Sequence, residues 1–494
     1  MNAETHIHVF DKATAELVET LVSDSAESVV AAAAQARAAQ PAWAALSPKE
    51  RGNIIKRARR ELIKDKTKIR DALARETGKT SFEVIGELFS VCQDIGHYAG
   101  KATKWLKPRK TGTYPLFGKK GMITYKPFGV VGVITPWNAP LALALGDALP
   151  ALFAGNTVLL KPSEITPLAV KYAIEAFNRV LPEGVLQCLI GEGAVGSILV
   201  EQVDMVTMTG SCATGKRVMQ KASEKLTPVL LELGGKDPMI VLNDANVERA
   251  SNAAVWGSCF MTGQVCMSVE RIYVESGIAP EFKRLVQEKI QAIKTGPELA
   301  VDERDYGPFI GPAQVKIVED HVASASQQGA TIAHGGHRLQ NEKSGVFFEP
   351  TLITDVDHSM RIMHEETFGP VVCVMEVGNV EEAIRLANDS VYGLNASIWT
   401  KNIKKGIELA QRLESGNVCI NDCIFNAGVH SLPFGGTKQS GVGSRHGGPD
   451  GLRAFCHTQS LMIEPRNKPK EMAWFPDNKK ITQRLDRLMT FLYR

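Results

Sequence analysis

Apolar positions change texture along this chain. Up to about residue 105 they recur at helical spacing, which predicts helices over 24–45, 47–75 and 80–105. The first of these, DSAESVVAAAAQARAAQPAWAA, opens on acidic and serine residues that suit a cap. From 128 the apolar positions run together. GVVGVITPWN (129–138), TVLLKPSE (157–164), VLQCLIGEG (185–193), DMVTMTGS (204–211) and TPVLLELGGK (227–236) read as strands. Helical patterns at 140–153, 166–180, 194–202 and 213–225 fill the gaps. Continuous apolar strands alternating with helices predict a parallel sheet covered on both faces. After 240 the pattern repeats through PMIVLNDAN, ERIYVES, FFEPTLITDV, VVCVMEV, ASIWTK and GNVCIN. Two tandem parallel-sheet α/β domains follow. Between helices and strands, KPRKTGTYPLFGKKGMITYKP (107–127) is basic and rich in Gly and Pro, a β-hairpin-like excursion. GLRAFCHTQSLMIEP (450–464) ends in a further strand.

Composition narrows the function classes. The chain has 494 residues, 44% hydrophobic and 22% charged, as ordinary globular proteins do. At that length two or three domains are expected. A net charge of +3 gives no electrostatic footprint for nucleic acid. The nine cysteines show no CxxC pair, and Cys419 and Cys423 have no partners at zinc-like spacing, so no metal is expected. Free thiols, no apolar leader in MNAETHIHVFDKAT and no run of 18 apolar residues predict a cytoplasmic protein. The tail, 465–494, has eight Lys/Arg against three acids. Its Ile481, Leu485, Leu488, Met489 and Leu492 share one helical face. Such a helix docks on its own protein or a partner subunit, or lies, basic on its polar face, against a membrane surface or the substrate entrance.

Several strand ends carry chemistry. TMTGSCATGK (207–216) joins a strand to a helix, and Gly210 and Gly215 permit backbone N–H groups to approach a phosphate. It is neither a Walker loop nor GxGxxG. LLKPSE ends a strand with Lys161 and Glu164, a cation and a carboxylate for a nucleotide ribose, or a plain surface ion pair. In LELGGK, Glu232 lies among leucines: a misread surface residue, or a carboxylate with a raised pKa suited to general-base work. Asn138 of PWN either donates to an oxyanion or caps the helix from 140. Cys266, in GQVCMS, is by itself one more packed thiol.

Thiol, base, carboxamide and nucleotide cradle are together the parts of covalent hydride-transfer chemistry. The chain resembles the aldehyde dehydrogenase superfamily from about residue 8 to 464, through PWNAP, KPSE, TGSCATGK, LELGGK, GQVCMS, EETFGP (365–370) and LPFGGTKQSG (432–441) in order. Glu232 and Cys266 stand 34 residues apart, as the family's base and nucleophile do. The resemblance implies an aldehyde dehydrogenase-like α/β fold: an NAD-binding Rossmann-like domain from 1–105 and 125–233, a catalytic domain over 234–450, and a β bridging arm from 106–124 and 451–464 shared between subunits of a homodimer or homotetramer. It implies that Cys266 attacks the aldehyde, that Asn138 and the Cys266 N–H hold the oxyanion, and that Glu232 activates the hydrolytic water. It places Thr135, Pro136, Trp137, Lys161, Ser163, Glu164, Gly210, Ser211, Gly215, Leu233, Glu366 and Phe368 at the cofactor.

A carboxylate at Glu164 would accept from a ribose 2′-hydroxyl and repel a 2′-phosphate, which favours NAD while leaving NADP open. The segment APLALALGDALPAL (139–152), which lines the access tunnel in this family, has no Arg or Lys. An anionic substrate would lack its charge-assisted bond there, so medium- or long-chain aliphatic or aromatic aldehydes are expected. NDCIFNAGVHSLPFGGTKQSGVGSRHG (421–447) is similar to the fatty-aldehyde branch, and SVERIYVE (268–275) to bacterial succinate-semialdehyde dehydrogenases, so the latter activity is the alternative. A CoA-acylating dehydrogenase on the same fold would typically lack the acid at Glu232. A cysteine hydrolase would not need the nucleotide motifs.

Overall fold

The computed structural model describes residues 5–114, 116, 118–339, 345–471, 474–475 and 479–494. Contacts divide the chain into two units, Met1–Leu106 with Pro127–His457, and Lys107–Lys126 with Thr458–Arg494.

The first unit holds two sheets. In one, β1 (Val130–Ile134), β2 (Thr157–Lys161), β3 (Leu186–Cys188), β4 (Met205–Thr209) and β5 (Val229–Glu232) run parallel in the order β5-β4-β1-β2-β3. Val130, Val131, Val133, Leu159 and Val206 have no exposed surface, as strands covered on both faces require. The chain leaves β1 in one direction to build β2 and β3 and in the other to build β4 and β5. The switch point therefore lies at the C-terminal ends of β1 and β4, where a doubly wound sheet binds its ligand.

The other sheet contains β6 (Asp237–Val241), β7 (Val269–Glu275), β8 (Thr331–His334), β9 (Thr351–Thr354), β10 (Val371–Val377), β11 (Asn395–Trp399) and β12 (Asn417–Ile420), ordered β8-β9-β10-β7-β6-β11-β12. All neighbours are parallel except β8 and β9. β13 (Gly441–Val442) leaves this part of the chain and pairs antiparallel with β5, Gly441 opposite Glu232.

The strands are shorter than the apolar runs predict. Residues 135–138, 162–164 and 233–235 leave the sheet, because Pro136 and Pro162 cannot donate to a ladder and Gly234–Gly235 turns the chain toward β6. The segment 47–75 is two helices, Pro48–Lys64 and Lys66–Thr77, which meet at Asp65. A hairpin of His6–Phe10 and Leu17–Val22 precedes the first helix and had no clear sequence signal.

In the second unit, Arg109–Thr111 pairs antiparallel with Lys120–Pro127, and Cys456–Ile463 lies on the other side of Lys120–Pro127 in a three-stranded sheet. Lys119 forms ion pairs with Glu464 and Glu471. The tail helix, Lys479–Leu492, has no buried residue. No described helix is long and apolar enough to cross a membrane.

Candidate active site

The site forms because β6 and β7 begin side by side. Asp237 is opposite Val269, so the turn before β6 and the loop before β7 run together. A Cβ on Gly235 would lie 2.5 Å from the Cys266 carbonyl oxygen, and one on Gly234 would lie 2.4 Å from Glu366 Oε2. At 235, where the neighbour is backbone, only glycine permits this approach. The loop that delivers Cys266 is itself strained: Met261, Thr262 and Gly263 have consecutive φ values of 54°, 62° and 67°. Buried contacts hold it there. Met261 N–H donates to Glu83 Oε1 (2.9 Å), and Thr262 Oγ1 donates to the Gly307 carbonyl (2.9 Å).

Cys266 lines a cavity of about 290 Å³ with Pro136, Trp137, Asn138, Thr209, Gly210, Ser211, Leu233, Gly234, Gln314, Ile317, Glu366 and Phe368. Nine residues singled out in the sequence thus meet at the switch point of the first sheet: Pro136, Trp137, Asn138, Gly210, Ser211, Leu233, Cys266, Glu366 and Phe368. A larger cavity, about 760 Å³, shares none of these residues.

Asn138 Nδ2 donates to the Gln264 carbonyl (2.9 Å), which fixes the amide beside the Cys266 loop and leaves its second N–H to give. It does not cap the following helix. That task falls to Glu87, whose Oε2 accepts from Leu141 N and Ala142 N at 3.0 Å each and whose other oxygen pairs with Lys79. Glu366 Oε1 accepts from Gly235 N (3.1 Å), and Phe368, at φ 55°, meets Trp137 edge-on at 5.5 Å. Both are held by a clamp the sequence did not announce. Glu270 accepts from Thr367 N (2.8 Å) and Phe368 N (3.0 Å) and pairs at 2.5 Å with buried Lys236, which also donates to Thr367 Oγ1 (2.9 Å). Burial pushes the Glu366 carboxyl up to about 8, with Glu270 adding to the rise.

Glu232 ends β5 and is 2% exposed, and neither carboxylate oxygen has a hydrogen-bond partner. Burial pushes its carboxyl up to about 8, opposed by Arg445 and assisted by Asp147. It is a buried carboxylate and not a surface residue. Burial also pushes the Cys266 thiol up to about 12, and Arg445 is the charge that opposes this most.

Arg445 was not among the expected site residues. The antiparallel pairing of β13 with β5 brings it in, helped by Ser440, whose carbonyl accepts from Leu233 N (2.9 Å) and whose Oγ donates to the Gly234 carbonyl (2.6 Å). Arg445 Nη2 donates to Thr209 Oγ1 (2.7 Å). Its Nη1 lies 3.6 Å from Asp147 Oδ1 and its Nε 3.7 Å from Glu232 Oε1. A cation supplied from outside 139–152 therefore lies beside Glu232 and bears on Cys266.

The remaining expected residues gather nearby or play local roles. Thr135 N–H donates to the Lys161 carbonyl (3.1 Å), linking the ends of β1 and β2. Lys161, almost fully buried, lies 3.5 Å from Glu164, whose side chain is 39% exposed. Ser163 Oγ accepts from Ile165 N (3.2 Å). Ser211 caps the helix Cys212–Ser223, accepting from Thr214 N (3.2 Å), and a Cβ on Gly215 would overlap Leu233 at 2.5 Å. All nine cysteines are free.

The sequence profile named Aldehyde dehydrogenase family matches residues 1–461. A 4,4'-diapolycopene aldehyde oxidase from Methylomonas sp is 38% identical over 93% of this chain and 86% of that protein. A Mycobacterium ulcerans protein, whose name proposes an NADP+-dependent succinate-semialdehyde dehydrogenase, is 39% identical over 91% of this chain and 86% of its own. Among solved structures, betaine aldehyde dehydrogenase from Staphylococcus aureus in complex with NAD+ superposes with a TM-score of 0.89, at 34% identity over 96% of this chain and 94% of that one. The chain belongs to the aldehyde dehydrogenase family, and so to the oxidoreductases that act on small-molecule aldehydes.

Proposed function

We propose that the protein oxidises an aldehyde to its carboxylic acid with NAD+, accepting NADP+ less well, through a covalent intermediate on Cys266. The observation that carries this reading is a buried Glu232, with neither oxygen hydrogen-bonded, whose charge bears on Cys266 at the cavity wall. The cavity fits a nicotinamide nucleotide. Gly210, Ser211 and the N-terminus of the helix Cys212–Ser223 suit a pyrophosphate, and Glu366 keeps one carboxylate oxygen to accept from a ribose. Lys161 and Glu164 would take the adenosine ribose, with Glu164 repelling a 2′-phosphate.

Cys266 adds as thiolate to the aldehyde carbon, and the Asn138 amide and the Cys266 N–H stabilise the oxyanion. Glu366 and Phe368 would hold the nicotinamide end of a bound nucleotide, which would supply the hydride acceptor needed to oxidise the Cys266 thiohemiacetal to a thioester. Glu232 then takes a proton from water, the hydroxide adds to the thioester carbonyl, and the acid leaves as the Cys266 sulfur is released. A carboxylate with neither oxygen hydrogen-bonded, Arg445 Nε 3.7 Å away and a pKa of about 8 suits that proton transfer at neutral pH.

For the substrate we favour medium- or long-chain aliphatic or aromatic aldehydes. Along the first half of the helix Pro140–Ala154 only Ala142 and Leu143 keep partial exposure, and Gly146 on the same face is buried with no heavy atom within 4 Å of a Cβ built there. The face is apolar and leaves room. Arg445 supports a second reading, succinate semialdehyde, because its Nε has no hydrogen-bond partner. Against this, Asp147 and Glu232 already face that guanidinium. The exposed strand Cys456–Ile463 suits pairing with a second copy, which supports a homo-oligomer measurable by light scattering.

The test is reduced-nicotinamide formation with NAD+ and NADP+ across hexanal, decanal, benzaldehyde and succinate semialdehyde, with Cys266→Ala as control. A kcat/KM that climbs with chain length supports the reading. Preference for succinate semialdehyde overturns the substrate, and turnover by Cys266→Ala overturns the chemistry.

A further inference from the structure

Behind Arg445 lies a second cluster with no part in this chemistry. Asp94 comes from the helix Ser81–Trp105, His430 from the loop after Phe425–Gly428, and His446 from the residue after Arg445. One donor atom from each lies within 4.8 Å of the other two. Asp94 is 2% exposed. Its Oδ1 is 3.0 Å from His430 Nδ1, yet neither atom has a hydrogen-bond partner, so the two approach without the alignment a hydrogen bond needs. His446 Nδ1 is also buried and unpartnered. So are His97 Nε2 and Tyr98 Oη, from the turn after Asp94.

A buried polar atom without a partner is costly, and the cluster holds three, one each on Asp94, His430 and His446. Two imidazoles and a carboxylate are the donor set of borderline divalent ions. Ligands about 2.0–2.2 Å from a zinc ion stand at most about 4.4 Å apart across it, so the observed spread closes with small side-chain rotations. The backbone that presents the histidines is fixed. His446 sits at φ 58°, Gly447 N–H donates to the Leu432 carbonyl (2.9 Å), and Gly448 N–H donates to the His430 carbonyl (3.0 Å). The charged groups that bear on the cluster are Asp94 itself, Asp147 and Arg445, two acids against one cation.

We propose that Asp94, His430 and His446 form a binding site for a divalent transition-metal ion of the zinc class, which ties the helix Ser81–Trp105 to the 429–448 loop. Water completes the coordination. The site is separate from Cys266 and holds whether or not the proposed substrate is correct.

The experiment uses the full chain, stripped of metal and dialysed against Zn2+, with bound zinc measured by elemental analysis. Co2+ then reports the ligands through its visible absorption. The expected result is one ion per chain, micromolar or tighter, with a nitrogen–oxygen spectrum and no thiolate band, and binding at least about tenfold weaker in His430→Ala, His446→Ala and Asp94→Asn. Zinc should also shield His430 and His446 of the unmutated protein from imidazole acylation, mapped by mass spectrometry, which does not depend on the variants folding. No bound zinc, a thiolate band, or acylation of both histidines unchanged by zinc would overturn the site and leave an Asp–His ion pair.

Discussion

The burial of Glu232 makes a quantitative statement about pH. With its carboxyl at about 8, roughly one molecule in ten holds the free base at pH 7 and half do at pH 8. Hydrolysis of the thioester should therefore rise about fivefold between pH 7 and 8 and level off above about 9. A carboxylate at its ordinary value, 4.5, would give a flat profile over that span. The Cys266 thiol, pushed to about 12, would instead make thioester formation rise through the whole accessible range. Rapid mixing separates the two steps: the burst of reduced nicotinamide reports formation and the steady rate reports hydrolysis. Glu232→Gln should slow the steady rate by about 10²–10⁴-fold, the usual worth of a general base, and leave the burst amplitude near one per site. A steady rate that is limited by hydrolysis yet flat from pH 6 to about 9, or a burst lost in Glu232→Gln, would refute the assignment.

Other outcomes follow from the same contacts. Arg445→Gln removes the cation that favours both ionised groups, so the burst should slow about tenfold or more and the hydrolysis midpoint should move above about 8; unchanged midpoints would show that Arg445 acts only by packing. Because the folded-state pKa of Glu232 is raised, its contribution to stability is present at low pH and lost as pH rises. The Tm advantage of Glu232→Gln should grow from pH about 5 to about 8 and stay level beyond, as thermal denaturation across pH will show. Gly235→Ala forces a Cβ against the Cys266 carbonyl, so kcat should fall at least about tenfold with near-normal cofactor affinity by titration; full activity would mean the turn yields freely.

Much of the fold was legible because its strands are buried on both faces and read as unbroken apolar runs between helical patterns. The hairpin at 6–22 was not: its strands show mixed burial and carry no sharp turn signal. The leucines around Glu232 made its burial legible, and Cys266 and Glu366, singled out through motifs, line one cavity; their chemical roles are proposed. The Lys236–Glu270 clamp and the Glu87 cap were not, because the first joins two charged residues 34 apart in sequence and the second brings a carboxylate to a backbone N–H 54 residues away. Arg445 shows the limit most clearly. The segment 139–152 carries no cation, yet an edge pairing of two residues with β5 delivers one to Glu232 from far along the chain. Sequence reveals what an element carries more readily than which loop is folded over its end.

The central claim is that the substrate becomes covalently attached to Cys266 and that Glu232 releases it. The most direct measurement is intact-protein and peptide mass spectrometry of Glu232→Gln mixed with NAD+ and an aldehyde such as decanal. The account predicts an acyl adduct confined to the peptide bearing Cys266, absent without NAD+ and absent in Cys266→Ala. Oxidation of the aldehyde by that variant with no adduct, or an adduct on a different cysteine, would contradict it.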